Sequence, residues 1–162
     1  MTYKGIEIIP TESKHIPHFW KILQEYPNYF SDEVNIQNEE DFYIWFDENV
    51  KDSLTAIKDN NIIGCSYLND IHDSFGSLNV FVKKRSVRPW ITALVAKKIV
   101  KYFIKKHGLK MAYGVVRKDN RACIRLFQAI GMKITGTLKN HKKVNGVLTD
   151  YIMSSILKEQ VI

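Results

Sequence analysis

The spacing of apolar residues in the first half of the chain predicts one strand and two helices. The run 6–10 reads as a short strand, and Thr11 or Ser13 is the expected N-cap of the helix that follows. A second helix opens at 38–41, where acidic residues favour the positive end of a helix dipole. The buried stripes expected on the two helices are Ile16, Phe19, Trp20, Leu23 and Tyr26, and then Phe42, Trp45, Phe46 and Val50. Residues 28–37, between the helices, are predicted to form a mobile aromatic loop.

Strand spacing then alternates with helical spacing through the rest of the chain. The predicted elements are strands 53–58, 61–68 and 75–82, a helix from Ile91, a strand 110–117, a helix 121–130 and strands 132–138 and 148–157. Residues 59–61 form a hairpin signal, 70–74 a turn, and Gly108 and Gly131 are expected helix ends. Because meander and crossover connections mix, we predict one α/β (α+β) domain over 1–162, a mixed sheet with helices on both faces.

Composition limits the class of protein and the kind of site. With 45% apolar and 25% charged residues, the chain is typical of a globular protein. It has neither a signal-peptide pattern nor an apolar run long enough for a membrane span, so we expect a cytoplasmic protein with no membrane partner. Cys65 and Cys123 lack ligand spacing and are expected to be reduced and packed. Of the five histidines only His15 and His18 are close in sequence, so no metal site is predicted.

Charge is distributed unevenly along the chain. Residues 1–80 carry five Lys/Arg against 14 Asp/Glu, whereas residues 81–162 carry 19 Lys/Arg against three Asp/Glu. Such asymmetry indicates an anionic ligand near the second half and leaves the first half free to attract a cation. Charge alone favours two solvated surfaces over a bound ligand, so the ligand interpretation needs a motif beside it.

The most informative segment is a strand, a basic loop and a helix start. Val80 to Val82 end a predicted strand, and the loop 83–90 that follows reads KKRSVRPW. The first amides of a helix lack intrahelical partners and lie at its positive end, so with nearby cations they favour a pyrophosphate. The alternative is a solvated basic turn. The sequence has no Walker-type or Gly-x-Gly-x-x-Gly phosphate loop and no Gly-x-Ser-x-Gly elbow.

A second motif carries a family resemblance. The run NRACIRLFQAIGM at 120–132, followed by Gly136, Asn145-Gly146 and Asp150-Tyr151, resembles the second half of the GNAT superfamily of N-acetyltransferases. The nearest branch is that of the ribosomal-protein N-acetyltransferases. The resemblance implies a mostly antiparallel GNAT sheet and acetyl-CoA as cosubstrate, with no metal.

The resemblance also implies a cofactor site. The backbone of Val80, Phe81 and Val82 would pair with the pantetheine arm, and Asn120 would contact the CoA arm or fix the turn before its helix. The residues whose amides would wrap the pyrophosphate are Arg88, Pro89, Trp90, Ile91, Thr92 and Ala93.

This chain departs from the family pattern at several of these positions. Relatives usually have glycines in the pyrophosphate loop, where Pro89, Trp90 and Ile91 stand here. Many relatives place a tyrosine acid where this chain has Phe127, which we predict to be structural. The strand 75–82 has no glutamate base; its polar residues Ser77 and Asn79 are poor bases, and no catalytic residue is assigned.

The resulting prediction is an N-acetyltransferase that moves an acetyl group from acetyl-CoA to a primary amine on a small molecule or peptide, with a cationic acceptor favoured. A catalytically inactive GNAT-fold binding module is the alternative, which the missing glycines and Phe127 support. A nucleic-acid-binding domain is disfavoured, because the lysines of the helix after Ile91 lie opposite an apolar stripe, as on any solvated helix. The sequence does not decide whether the protein forms a homodimer. The aromatic residues Trp20, Tyr26, Tyr29, Phe30, Tyr43 and Trp45 are expected in the core rather than around a substrate.

Overall fold

A computed structural model describes residues 1–26 and 36–161 and confirms a mixed α/β fold. Its strands are β1 (Thr2–Tyr3), β2 (Ile6–Pro10), β3 (Asp52–Lys58), β4 (Asn61–His72), β5 (Phe75–Val82), β6 (Met111–Arg117), β7 (Lys133–Val144) and β8 (Val147–Leu157). Its helices are α1 (Ile16–Leu23), α2 (Glu39–Asn49), α3 (Pro89–Lys106) and α4 (Arg121–Ala129), with short 3-10 turns at Ser13–His15 and Lys158–Gln160. The predicted loop 28–37, with Tyr29 and Phe30, lies outside the described residues except for its last two positions.

The sheet is mostly antiparallel, with the strand order β1-β2-β3-β4-β5-β6-β8-β7 and a parallel β5–β6 pair. The strands differ from the sequence prediction in three main respects. β4 runs on to His72, so the predicted turn 70–74 shrinks to a tight turn in which Asp73 has a positive φ of 44°. β7 extends to Val144, because the Asn145-Gly146 turn lets it continue pairing with β8. The short strand β1, which the sequence analysis missed, pairs with β2.

The contacts divide the chain into two compact units. The first unit holds the described parts of residues 1–70 and 79–88, and its core is aromatic. Phe19, Phe42, Phe46 and Tyr67 are buried there, and the rings of Trp20, Trp45 and Phe81 pack against them. Core positions are therefore confirmed for Trp20 and Trp45, whereas Tyr43 is 39% exposed. Tyr26 was expected on the stripe of α1, but α1 ends at Leu23. Helical backbone is also disfavoured at Tyr26 itself, because it directly precedes Pro27 in the sequence.

A buried polar cluster fixes the start of α1. Neither Thr11 nor Ser13 caps this segment as predicted; Glu12 is the N-cap of the 3-10 turn, and its backbone N–H donates to His15 Nδ1 at 3.0 Å. The Thr55 hydroxyl lies 3.1 Å from the same nitrogen and 3.0 Å from the Thr11 hydroxyl. Because Nδ1 accepts a hydrogen bond, His15 is neutral in this arrangement.

Stability should therefore fall in mild acid through His15. Burial lowers the pKa of His15 below its ordinary 6.5, so the unfolded chain takes up the proton first and the free energy of unfolding decreases as pH drops below about 6.5. Urea unfolding at pH 7.5 and 5.5 measures this. His15→Gln should flatten the dependence, whereas His18→Gln, at an exposed histidine one turn away, should keep it. An unchanged pH dependence in His15→Gln would contradict the assignment.

The second unit holds residues 71–78 and the described part of 89–162. Val95, Ile99, Val100, Phe103 and Ile104 form the buried side of α3, and Gly108 follows that helix with a positive φ of 64°, as predicted. Asp150 accepts hydrogen bonds from the Asn140 backbone N–H and the Lys139 ammonium at 3.1 Å each, which holds the irregular part of β7 against β8. Within residues 1–26 and 36–161, none of the helices combines the length and the apolar character that crossing a bilayer requires.

Candidate active site

The end of β5 is the first half of the candidate site, and it lies unusually close to β4. A Cβ added to Gly64 of β4 would lie 2.5 Å from the Phe81 carbonyl oxygen and 3.2 Å from Val82 Cα. The Phe81 carbonyl thus faces β4, and so does its N–H, since both groups of a residue in an extended strand point to the same side. Directions alternate along a strand, so the backbone groups of Val80 and Val82 face away from β4.

The carbonyl of Val82 already has a partner. The Tyr26 hydroxyl donates to this oxygen at 2.8 Å, which leaves the Val82 N–H and the Val80 backbone as the candidates for pairing with a pantetheine arm. Among the backbone positions expected from the sequence to bind the cofactor, Phe81 faces β4, and Val82 has its carbonyl already hydrogen-bonded. Partial burial raises the pKa of Tyr26, so its hydroxyl stays protonated and able to donate at neutral pH.

Two hydrogen bonds between Glu25 and Lys84 connect the segment after α1 to the basic loop. Glu25 accepts from the Lys84 backbone N–H at 2.7 Å, the Lys84 ammonium donates to the Glu25 carbonyl, and this ammonium lies 4.8 Å from the centre of the Tyr26 ring. The sequence analysis counted Lys84 among the cations of the basic loop, and in the structure its ammonium donates to the Glu25 carbonyl. Arg85, with a positive φ of 58°, and Arg88 are exposed cations of the same loop.

The helix that follows starts two residues earlier than predicted. α3 begins at Pro89, so Trp90, Ile91 and Thr92 lie in its first turn and contribute three of its first amides. Pro89 donates no N–H but is well suited to the first helical position. Pro89 and Trp90 are exposed, and Ile91, Thr92 and Ala93 are half-buried. The predicted anion-binding features, an exposed cation followed by a helix start, are therefore present without the glycines of the family.

The pairing of β5 with β6 is short for strands of their length. The parallel ladder joins Phe75, Gly76 and Ser77 to residues 111–113, although β5 continues for five residues and β6 for four. Asn79 is tied instead to Asn69 of β4, with its Nδ2 donating to Asn69 Oδ1 at 2.7 Å.

Asn120 has a structural position. Its Oδ1 accepts from the Cys123 backbone N–H at 3.2 Å, which caps α4 and fixes the turn after β6. Of the two roles expected for Asn120, the geometry supports the turn. Burial raises the pKa of Cys123 to about 12 and also raises that of Cys65, so neither thiol is a ready nucleophile at neutral pH. No cluster of three metal-ligating side chains occurs in the described ranges.

Phe127 is packed tightly against β6. It is only 3% exposed, and a Cβ built on Gly114 would lie 2.5 Å from its Cε2 and Cζ atoms. The ring therefore occupies the space that a side chain at position 114 would need, and Gly114 is the residue that makes room for it.

Replacing Phe127 should affect stability rather than chemistry. Phe127→Tyr adds a hydroxyl at Cζ, one of the two ring atoms nearest to Gly114, so we expect a lower melting temperature and no gain in acetyl transfer. Phe127→Ala should cost about 3–5 kcal/mol of stability and leave turnover per folded molecule intact. Thermal unfolding and thiol release, measured on the same samples, test this. If Phe127→Tyr transferred acetyl groups tenfold faster, a tyrosine at this position would act as the general acid, and the structural role of Phe127 would be contradicted.

Two of the residues that shape this site were missed by the sequence analysis. The close approach at Gly64 could have been predicted, since a glycine inside a strand often marks a position where a neighbouring backbone comes close. The contact of Tyr26 could not, because its hydroxyl reaches Val82 across 56 positions of the chain.

Comparisons with known proteins identify the family of this chain and agree with its fold. Residues 21–153 match the family model of the acetyltransferase (GNAT) domain, whereas a search of curated proteins found no significant match. Among solved structures, the chain is similar to ribosomal-protein-S5-alanine acetyltransferase from Vibrio fischeri, with 12% identity, a TM-score of 0.78, and 100% of this chain and 98% of that chain covered. It is also similar to spermidine N-acetyltransferase from Vibrio cholerae in complex with CoA and spermine, with 14% identity, a TM-score of 0.81 and coverage of 98% and 99%. A third similar structure is a ribosomal L7/L12 α-N-protein acetyltransferase with CoA, with 11% identity, a TM-score of 0.80 and coverage of 96% and 95%. Because the family model matches most of the chain, residues 21–153, this chain belongs to the GNAT acetyltransferase family.

Proposed function

We propose that this protein transfers an acetyl group from acetyl-CoA to a primary amine. The observation that carries the proposal is that three features follow one another between Val80 and Ala93. They are strand backbone that faces away from β4, an exposed basic loop and the start of α3. Extended backbone suits the amide groups of a pantetheine arm, and a helix start beside cations suits a pyrophosphate. Two of the similar solved structures hold CoA, which agrees with this choice of cosubstrate.

The chemistry needs few side chains. A neutral amine attacks the thioester carbonyl, a C–N bond forms, the C–S bond breaks, and CoA leaves as a thiolate that takes up a proton. The N–H of Val80 or Val82 would stabilise the oxyanion, since both groups face away from β4, whereas the N–H of Phe81 would not. The proton of the amine would leave through water, because the strand 75–82 offers no carboxylate.

The acceptor is proposed to be cationic. The first unit carries most of the acidic residues of the chain, and α2 presents several of them to solvent: Glu39, Glu40, Asp47 and Glu48. Such a field raises the local concentration of an amine that bears positive charge. The similar proteins include acetyltransferases named for spermidine and for ribosomal proteins, so a polyamine and a basic peptide N-terminus are the two acceptors to test.

Thiol release from acetyl-CoA tests the activity and the acceptor together. Spermidine and a lysine-rich peptide should react faster than an acidic peptide of matched length, and the difference should shrink as salt shortens the Debye length to about 8 Å at physiological ionic strength. Glu39→Lys/Glu40→Lys should reduce the preference. The control is Glu7→Lys/Glu159→Lys, which changes the net charge equally at exposed sites outside α2. Equal rates with the acidic and the basic acceptors at low salt would contradict the preference for a cationic acceptor. If no amine led to thiol release, the proposed acetyltransferase activity would be contradicted.

A CoA-binding module without catalysis is the second candidate. The observation that favours it is Phe127, which is buried against Gly114 and supplies no acid for the leaving thiolate. Calorimetric binding of acetyl-CoA together with no thiol release would select this candidate over the enzyme.

A further inference from the structure

The outward side of α3 combines exposed apolar residues with lysines. Trp90 is 51% exposed and Leu94, one turn later, is 38% exposed. Exposed lysines continue the same side toward the end of the helix, and together we call these residues the α3 face: Trp90, Leu94, Lys97, Lys98, Lys101 and Lys105. At 3.6 residues per turn they lie within about 100° of one another and extend along about 22 Å of the helix.

The α3 face is strongly cationic because no acid lies near it in sequence. From position 83 to 118 the chain has 12 Lys/Arg and no Asp or Glu, so no i to i+4 ion pair neutralises these lysines within the helix. In the described part of the chain, none of the ion pairs involves Lys97, Lys101 or Lys105. These three lysines recur every four residues, which is about 6 Å along the axis, so they match a ligand with repeated negative charge.

Exposure of Trp90 is the observation that sequence alone did not provide. Lysines opposite an apolar stripe are what any solvated helix shows, but Trp90 and Leu94 lie on the lysine side and not on the buried side. Tryptophan is highly buried on average, so a side chain that is 51% exposed is unusual. A flat aromatic ring beside a row of cations is the arrangement with which proteins stack bases and track phosphates of single-stranded nucleic acids.

We propose that the α3 face binds single-stranded nucleic acid, with phosphates along Lys97, Lys101 and Lys105 and a base stacked on Trp90. This activity goes beyond acetyl transfer. An anionic membrane is less well matched, because an interfacial helix needs apolar residues along its length and here they occupy only the first two turns. An acidic peptide would use the lysines and leave the ring of Trp90 without a planar partner.

Fluorescence anisotropy with a labelled 12-nucleotide oligouridylate tests the proposal. Binding should weaken as salt rises, and Lys97→Glu/Lys101→Glu/Lys105→Glu should reduce affinity by roughly tenfold or more and the salt slope by about 2–3. The matched control Lys133→Glu/Lys143→Glu/Lys158→Glu changes the net charge equally at exposed sites outside α3, and should have a much smaller effect. Trp90→Ala should weaken binding about fivefold or more, and Trp90→Phe should retain most of it.

Three results would overturn the proposal: no oligouridylate binding at low salt, equal losses in the two triple variants, or tighter binding to phosphatidylserine vesicles or a polyglutamate peptide than to oligouridylate. Saturating CoA is a further arm, because Trp90 also lies in the proposed pyrophosphate site. If CoA displaces the oligonucleotide and the α3 triple variant binds it normally, the signal belongs to the cosubstrate site and the proposal fails. Acetyl transfer by the triple variant should stay unchanged, which separates this proposal from the enzyme activity.

Discussion

Gly64→Ala should destabilise the protein by about 2–3 kcal/mol and raise the KM for acetyl-CoA by roughly tenfold or more. The added Cβ would lie 2.5 Å from the Phe81 carbonyl oxygen and 3.2 Å from Val82 Cα, so it meets backbone that has no rotamer with which to move aside. β5 would have to shift away from β4 where the backbone of Val80 and Val82 is proposed to hold the pantetheine arm. Urea unfolding and steady-state kinetics measure the two effects.

Gly136→Ala is the matched control for this substitution. Its Cβ would lie 3.9 Å from Met153 Cε, an ordinary contact, and Gly136 also belongs to a strand. We expect unchanged kinetics and a small gain in stability, about 0.5–1 kcal/mol, because alanine loses less chain entropy than glycine. If Gly64→Ala were as stable and as active as Gly136→Ala, the close approach of β4 and β5 would have no functional importance.

Arg88→Glu should weaken CoA binding by about 1.5–3 kcal/mol, which is roughly 10- to 150-fold in Kd. Arg88 is exposed and directly precedes the start of α3, where the pyrophosphate is proposed to bind. The substitution removes a charge-assisted hydrogen bond and adds a negative charge beside two phosphates. Calorimetric titration with CoA measures the change.

Arg125→Glu controls for net charge, since this exposed arginine lies on α4, outside the proposed site. Its affinity for CoA should stay within about twofold of the original protein, because exposed charges far from a ligand are screened. An Arg88→Glu protein with unchanged affinity would exclude Arg88 from the site. Equal losses in both variants would mean that CoA responds to net charge and not to a specific group.

Sequence alone predicted the elements well because local patterns determine them. The hairpin at 59–61, the strand Phe75–Val82 and the helix ends at Gly108 and Gly131 all rest on turn chemistry or periodicity within a few residues. Pairing partners extended β4 and β7 beyond their local signals, so these boundaries were wrong.

The candidate site was only partly predictable for the same physical reason. The basic loop and helix start are contiguous in sequence and were found, whereas the engagement of Val82 by Tyr26 and of Lys84 by Glu25 joins distant segments. Asn120 was recognised by motif, and its 3.2 Å bond from the Cys123 N–H shows that it caps α4. The exposure of Trp90 depends on how α3 packs, which its periodicity did not settle.

A crystal structure with bound CoA tests the central claim most directly. We predict that the pyrophosphate lies against the amides of the first turn of α3, near Trp90 and Ile91, and that the pantetheine arm pairs with the backbone of Val80 or Val82. The Tyr26 hydroxyl should keep its bond to the Val82 carbonyl. CoA bound elsewhere on the chain, or no density for CoA at saturating concentration, would contradict the account.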